Sequence, residues 1–157
     1  MKFKKLFYFV YLALCAQISS CSVTPLDILT QKMYVTLDSK FNANASSAVI
    51  VDFVFIYDKD VLGQVKGLTA AQWFSKKQQI VSDLEMNNKI QVYSKEVVPG
   101  NRDYIKGFKP MRRPTEVIIF SNYLSDGDHR VAVDNYCNLL VSLGENDFTV
   151  KKNFENL

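Results

Sequence analysis

The run Ala48-Val49-Ile50-Val51-Asp52-Phe53-Val54-Phe55-Ile56-Tyr57 carries a single charged side chain, Asp52. Successive side chains of a strand point to opposite faces, so Val49, Val51, Phe53, Phe55 and Tyr57 share one face and Ile50, Asp52, Val54 and Ile56 share the other. Both faces are apolar and rich in β-branched and aromatic residues, which suits a central strand covered on both sides. Asp52 is the exception and needs a partner wherever it is buried.

Upstream, Lys32 to Ser39 alternates, with Met33, Val35 and Leu37 against Tyr34, Thr36 and Asp38, the pattern of a half-buried strand. Between the two strands, Ser39 to Ser47 (SKFNANASS) is small and polar with one large apolar residue, Phe41. It reads as a loop in which Phe41 either stands out as an anchor or folds back into the core. Downstream the period changes. Asp58 and Asp60 precede a short helical turn over Val61 to Lys66, and Thr69-Ala70-Ala71-Gln72 fits a capping box with Leu68 and Trp73 in the staple positions. Ala70, Trp73, Phe74, Lys77, Ile80, Val81 and Leu84 then recur at helical spacing up to Met86, a helical insertion at about 59–87 with Trp73 and Phe74 as packing residues.

Strand signals resume at Lys89 to Val98 and stop at Pro99-Gly100. Asn101 to Pro114 shows no clear period and reads as a basic loop holding Lys106, Lys109, Arg112 and Arg113, either a solvated surface or a contact for phosphate or a partner. Thr115 to Asn122, Arg130 to Asp134, Tyr136 to Leu143 and Asp147 to Lys152 complete seven strands, with Ser125 to Asp128 as a turn. Seven short strands and one helical excursion predict a mainly β fold, a two-sheet sandwich over residues 32–157.

The first twenty residues have a different character. Lys2, Lys4 and Lys5 are followed by an unbroken apolar run from Leu6 to Ala16. At about 1.5 Å per residue this run reaches only about half of a ~30 Å hydrocarbon core, so residues 1–20 read as a secretory signal peptide and not as a membrane span. Ile18-Ser19-Ser20-Cys21 resembles the bacterial lipobox, which makes the Cys21 thiol the lipid attachment site and residues 21–31 a lipidated tether; the alternative is a plain cleaved signal with Cys21 an ordinary cysteine. Several acyl chains on one cysteine make a stable anchor, and Ser22 after it suggests outer-membrane sorting. The whole chain of 157 residues has a formal charge of +3, but residues 1–20 remove three lysines and no acid, leaving 16 basic and 16 acidic side chains. Neutrality weakens any case for binding nucleic acid or anionic lipid through bulk charge.

Catalytic signals are scarce. His129 is the single histidine, and Ser125, Asp126 and Asp128 lie too close to it in one turn to form a triad from separate elements. Of the three cysteines, Cys15 leaves with the signal and Cys21 carries lipid, so Cys137 has no intrachain partner and reads as a small buried hydrophobe. One histidine and one free thiol disfavour zinc, and phosphate-loop, dinucleotide and nucleophile-elbow motifs do not occur. The expectation is a protein that is not an enzyme, with no cofactor, no metal and no small-molecule substrate.

With the lipobox, the short tether and the helical insertion after the second strand, Ser46 to Tyr57, the Val97-Val98-Pro99-Gly100 turn and Thr115 to Phe120 followed by Ser121-Asn122-Tyr123 resemble the TssJ family, the outer-membrane lipoproteins of type VI secretion membrane complexes. Ser121-Asn122 stands where that family usually has a basic residue. The resemblance implies a transthyretin-like sandwich anchored at the periplasmic face of the outer membrane. It also implies binding to the periplasmic domain of an inner-membrane secretion-complex protein through the loop between the first two strands, here with Lys40, Phe41, Asn42 and Asn44 as the partner-binding residues. A pilotin that escorts a secretin, with an apolar groove for a helix, and a periplasmic ligand-binding lipoprotein, with a polar pocket, are the alternatives.

Overall fold

The structure, a computed structural model, describes residues 31–153. Residues 1–20, read above as a signal peptide, and Cys21 with the expected tether as far as residue 30 lie outside the described residues, as do residues 154–157. Val49–Ile56 forms β2, flanked by β3 (Ile90–Val97) and β5 (Glu116–Ser121), with β6 (Arg130–Val133) beyond β5. The second sheet has the order β4 (Arg102–Phe108), β1 (Met33–Ser39), β7 (Asn138–Leu143), β8 (Phe148–Lys152). All neighbouring strands are antiparallel except β1 and β7, which run parallel. The two sheets stack as a β-sandwich.

Both faces of β2 are covered, as its sequence requires. Val49, Val51, Phe53 and Phe55 pack between the sheets against Met33, Val35 and Leu37 of β1 and Leu139, Val141 and Leu143 of β7. On the outer face, Val54 and Ile56 join Ile118 and Phe120 under two helices, α1 (Lys59–Lys66) and α2 (Ala70–Glu85), which supply Val61, Val65, Ala70 and Trp73. The first helix is longer than the turn read from sequence. It begins at Lys59 because Asp58 accepts hydrogen bonds from the Asp60 and Val61 N–H groups. These bonds, the one from Val61 foremost, hold the Asp58 carboxyl below the ordinary carboxylate range. In α2 the capping box forms as expected, Thr69 Oγ1 accepting from the Gln72 N–H and Gln72 Oε1 from the Thr69 N–H.

Asp52 is fully buried on the helix-covered face. Trp73 Nε1 donates to its Oδ2 at 2.8 Å and Lys77 Nζ to its Oδ1 at 3.0 Å, while Lys77 also reaches Ser94 Oγ at 2.8 Å. The Trp73 ring stacks on Phe120 with centroids 5.1 Å apart. The one charge in β2 thus docks the helix on the sheet, and a buried carboxylate is tolerable because each of its oxygens is paired.

The reading of 101–114 as a loop is corrected here. Residues 102–108 form β4, an edge strand, which makes eight strands and leaves Lys109, Arg112 and Arg113 in the loop after it while Lys106 lies on the strand. The alternation was masked by an irregularity. The register shifts between Met33↔Phe108 and Tyr34↔Lys106, and Gly107 between the two has φ +75°. The extra residue lets Ile105 and Phe108, three apart, both reach the inter-sheet core, where Phe108 lies 5.3 Å from Phe55. Cys137 is half-buried, with its thiol donating to Gln31 Oε1, and burial raises that thiol above its ordinary pKa.

Strand directions sort every connection to one of two poles. Gln31, the 109–115 loop and the 134–137 connection lie at one pole. The 40–48 loop, the Val98–Asn101 turn, the 122–129 loop and the 144–147 turn lie at the other.

Candidate interaction pole

The 40–48 loop is rigidly built. Asn44, Ala45 and Ser46 have φ of 49°, 53° and 61°, three successive left-handed residues with no glycine among them. Each costs roughly 1–2 kcal/mol, less for Asn, so the conformation needs support from its surroundings. The backbone supplies part of it: Lys40 N–H donates to Leu143 O, Ala43 N–H to Lys40 O, Asn44 N–H to Gly144 O and Ser47 N–H to Asn44 O, at 3.0 to 3.2 Å. The Asn44 side chain supplies the rest. It is 2 % exposed, donates to Ala48 O at 3.0 Å and accepts from the Leu124 N–H at 2.6 Å.

Of the four residues assigned to the partner, the structure therefore presents three. Lys40 and Asn42 are exposed, with Asn42 Nδ2 donating to Glu145 Oε2 at 3.0 Å, and Phe41 is 87 % exposed. Phe41 is not folded into the core. Its ring lies flat over Gly100, where an added Cβ would meet it at 2.6 Å, and Gly100 has φ +78°. Asn44 works inside the loop as the brace that holds it to the neighbouring 122–129 loop. Two apolar side chains unforeseen from sequence join Phe41 at this pole, Val98 (54 % exposed) and Leu124 (72 % exposed). Their signal was an apolar residue set immediately beside turn residues, Val98 before Pro99-Gly100 and Leu124 before Ser125.

His129 occupies the same end of the molecule. It is buried, stacks on Tyr123 at 5.0 Å, and sits with Nδ1 3.1 Å from Asp147 Oδ1 and Nε2 2.8 Å from Ser125 O. Asp147, distant in sequence, thus completes a Ser-His-Asp grouping that the one-turn reading missed. The geometry does not suit nucleophilic attack. Ser125 Oγ donates to Asn146 O at 2.8 Å and stands 3.4 Å from Nε2, which faces a carbonyl that can only accept. The grouping clamps the 122–129 loop to the 144–147 turn.

Elsewhere, an open polar cleft of ≈ 430 Å³ lies at the opposite pole, lined by Gln31, Arg113, Glu116, Asp134, Tyr136 and Cys137. A shallow groove between the helices is lined by Val65, Leu68, Ile80 and Leu84 but crossed by Gln64, Lys76 and Asp83. Among the described residues no group of three or more His, Cys, Asp or Glu could hold a metal ion, and no helix is long and apolar enough to cross a membrane.

The developed surface is thus a loop-bearing pole on a two-sheet sandwich. The same fold occurs in solved type VI secretion structures. TssJ1, a T6SS lipoprotein from Pseudomonas aeruginosa, superposes with a TM-score of 0.59 at 14% identity, covering 80% of this chain and 98% of that one. Lip from Serratia marcescens, a membrane-bound component of the type VI secretion system, gives 0.56 at 11% identity over 79% and 98%. A chain in a structure of the T6SS protein TssM C-terminal domain from EAEC gives 0.54 at 12% identity over 78% and 98%. No protein-family model and no curated protein sequence matches this chain.

Proposed function

We propose that the protein is a divergent TssJ-like lipoprotein of a type VI secretion membrane complex. Cys21 carries lipid and holds it at the periplasmic face of the outer membrane. The loop pole binds the periplasmic domain of a TssM-like inner-membrane partner, and the role is scaffolding without catalysis. The observation that carries the reading is Phe41, 87 % exposed on a loop whose backbone and Asn44 brace fix its position. A large apolar side chain presented rigidly, with Val98, Leu124 and polar Asn42 and Lys40 around it, has the composition of a small binding hot spot. The fold shared with T6SS lipoproteins supports the same role. The groove between the helices, lined by Val65, Leu68, Ile80 and Leu84, is the feature that a pilotin would use.

Phe41→Ala is expected to weaken binding of the partner's periplasmic domain by roughly 1–3 kcal/mol, about 5- to 150-fold, with an unchanged melting temperature because the ring is outside the core. Titration calorimetry beside thermal melting measures both. A well-folded variant that binds at wild-type affinity removes the loop from the interface.

A further inference from the structure

The two poles differ in charge. Around Gln31, where the tether enters the fold, stand Lys32, Lys109, Arg112, Arg113 and Lys152, all exposed, with Lys89 beside them. Of the acids at that end, Asp58 lies 3.6 Å from Lys89, Glu116 lies 3.1 Å from Lys66 and Glu85 accepts from the Val92 N–H, while Asp60, Asp83 and Asp134 stand at the margin of the cation cluster. At the far pole, Asp38, Asp126, Asp128, Glu145 and Asp147 outweigh Lys40, Arg102 and Arg130. The sandwich is polarised along its strands.

The basic loop itself has a fixed shape. The Arg112 guanidinium lies 4.6 Å from the centre of the Tyr57 ring and donates to Asn88 O at 2.8 Å, and the Met111 N–H donates to Gln91 Oε1 at 3.1 Å. That support leaves Lys109 and Arg113 in solvent with Met111, 44 % exposed, between them. An exposed apolar side chain inside a ring of cations is the composition of a surface that meets a lipid headgroup layer.

We infer that this pole docks on the anionic phospholipid headgroups of the leaflet that anchors the chain, and so holds the sandwich upright with the Phe41 pole facing away from the membrane. The inference rests on the lipoprotein reading of Cys21. Cys21 lies ten residues before Gln31, so the anchor keeps this pole within about 33–36 Å of the bilayer at full extension and at high effective concentration near it. The acidic far pole is repelled by the same surface, which selects one orientation.

The test uses the full acylated chain carrying Met111→Trp, in vesicles of phosphatidylcholine alone or with about 30 % phosphatidylglycerol, with brominated lipid as the quencher. The native Trp73 is fully buried and serves as an internal reference. On anionic vesicles the new tryptophan is expected to shift to shorter wavelength and be quenched. At least half of that quenching should vanish in about 0.5 M salt or on adding Lys109→Glu with Arg113→Glu. Leu124→Trp at the other pole should stay unquenched. A chain that floats with the vesicles yet leaves both tryptophans in water, or quenches Leu124→Trp instead, overturns this inference alone. A chain that does not float overturns the anchor reading and this inference with it.

Discussion

Asp52→Ala is expected to destabilise the domain by roughly 3–5 kcal/mol, the range for removing one partner from a buried charged group. The carboxylate is fully buried and accepts from both Trp73 and Lys77, so truncation leaves the indole N–H unpaired inside the protein and leaves the partly exposed Lys77 ammonium with Ser94 Oγ but no counter-charge. At this size each kcal/mol corresponds to about 2–4 °C, so the melting temperature should fall by roughly 6–20 °C. Asp52→Asn keeps an acceptor for the indole and should lose clearly less. Urea unfolding followed by Trp73 fluorescence measures the difference. An alanine variant within about 1 kcal/mol of wild type would show that apolar packing alone holds the helix to the sheet.

The second large effect is expected at Asn44. Alanine there removes the acceptor of the Leu124 N–H and the donor to Ala48 O, and places a side chain ill suited to positive φ in the middle of a left-handed run. The summed cost is roughly 2–4 kcal/mol, together with partner binding at least as weak as that of Phe41→Ala, because the loop loses the shape that presents the ring. Asn44→Gly separates the two contributions. It tolerates the backbone and should recover part of the stability, but it restores neither side-chain bond and should leave binding weak. Denaturation and binding measured on the same samples decide this. An alanine variant with unchanged melting and affinity would mean that the loop keeps its shape without the brace.

What could be read in the sequence was whatever is local and periodic. The two apolar faces of β2, the Thr69 to Gln72 capping box and the helical recurrence from Ala70 to Leu84 announce themselves within a dozen residues, and each appears where it was expected. What escaped depended on distant residues. β4 was hidden because Gly107 adds a residue and breaks the two-residue period between Ile105 and Phe108. Asn44 looked like a polar contact residue because its composition suits a loop surface, and only the Leu124 N–H, supplied from another loop, shows that its amide is turned inward. Asp147 meets His129 across two turns, a pairing that no spacing in the sequence encodes. Asp52 was conspicuous as a misfit, yet Trp73 and Lys77 were read only as a helix face until that face was laid on β2.

The place of β1 in its sheet also governs how the chain can fold. Val35 pairs on one side with Ile105 of β4 and on the other with Leu139 of β7, the latter in parallel. The first strand of the described residues is therefore an inner one, and both its neighbours come from the second half of the chain. No hairpin can complete it early, so closure of a long loop precedes its pairing with β4 and of a longer one its pairing with β7, and the sandwich gains its cooperative stability late. A chain wired this way leaves β1 unpaired until β4 is present and open on one side until β7 follows, the condition in which a polypeptide is most easily threaded through a narrow pore.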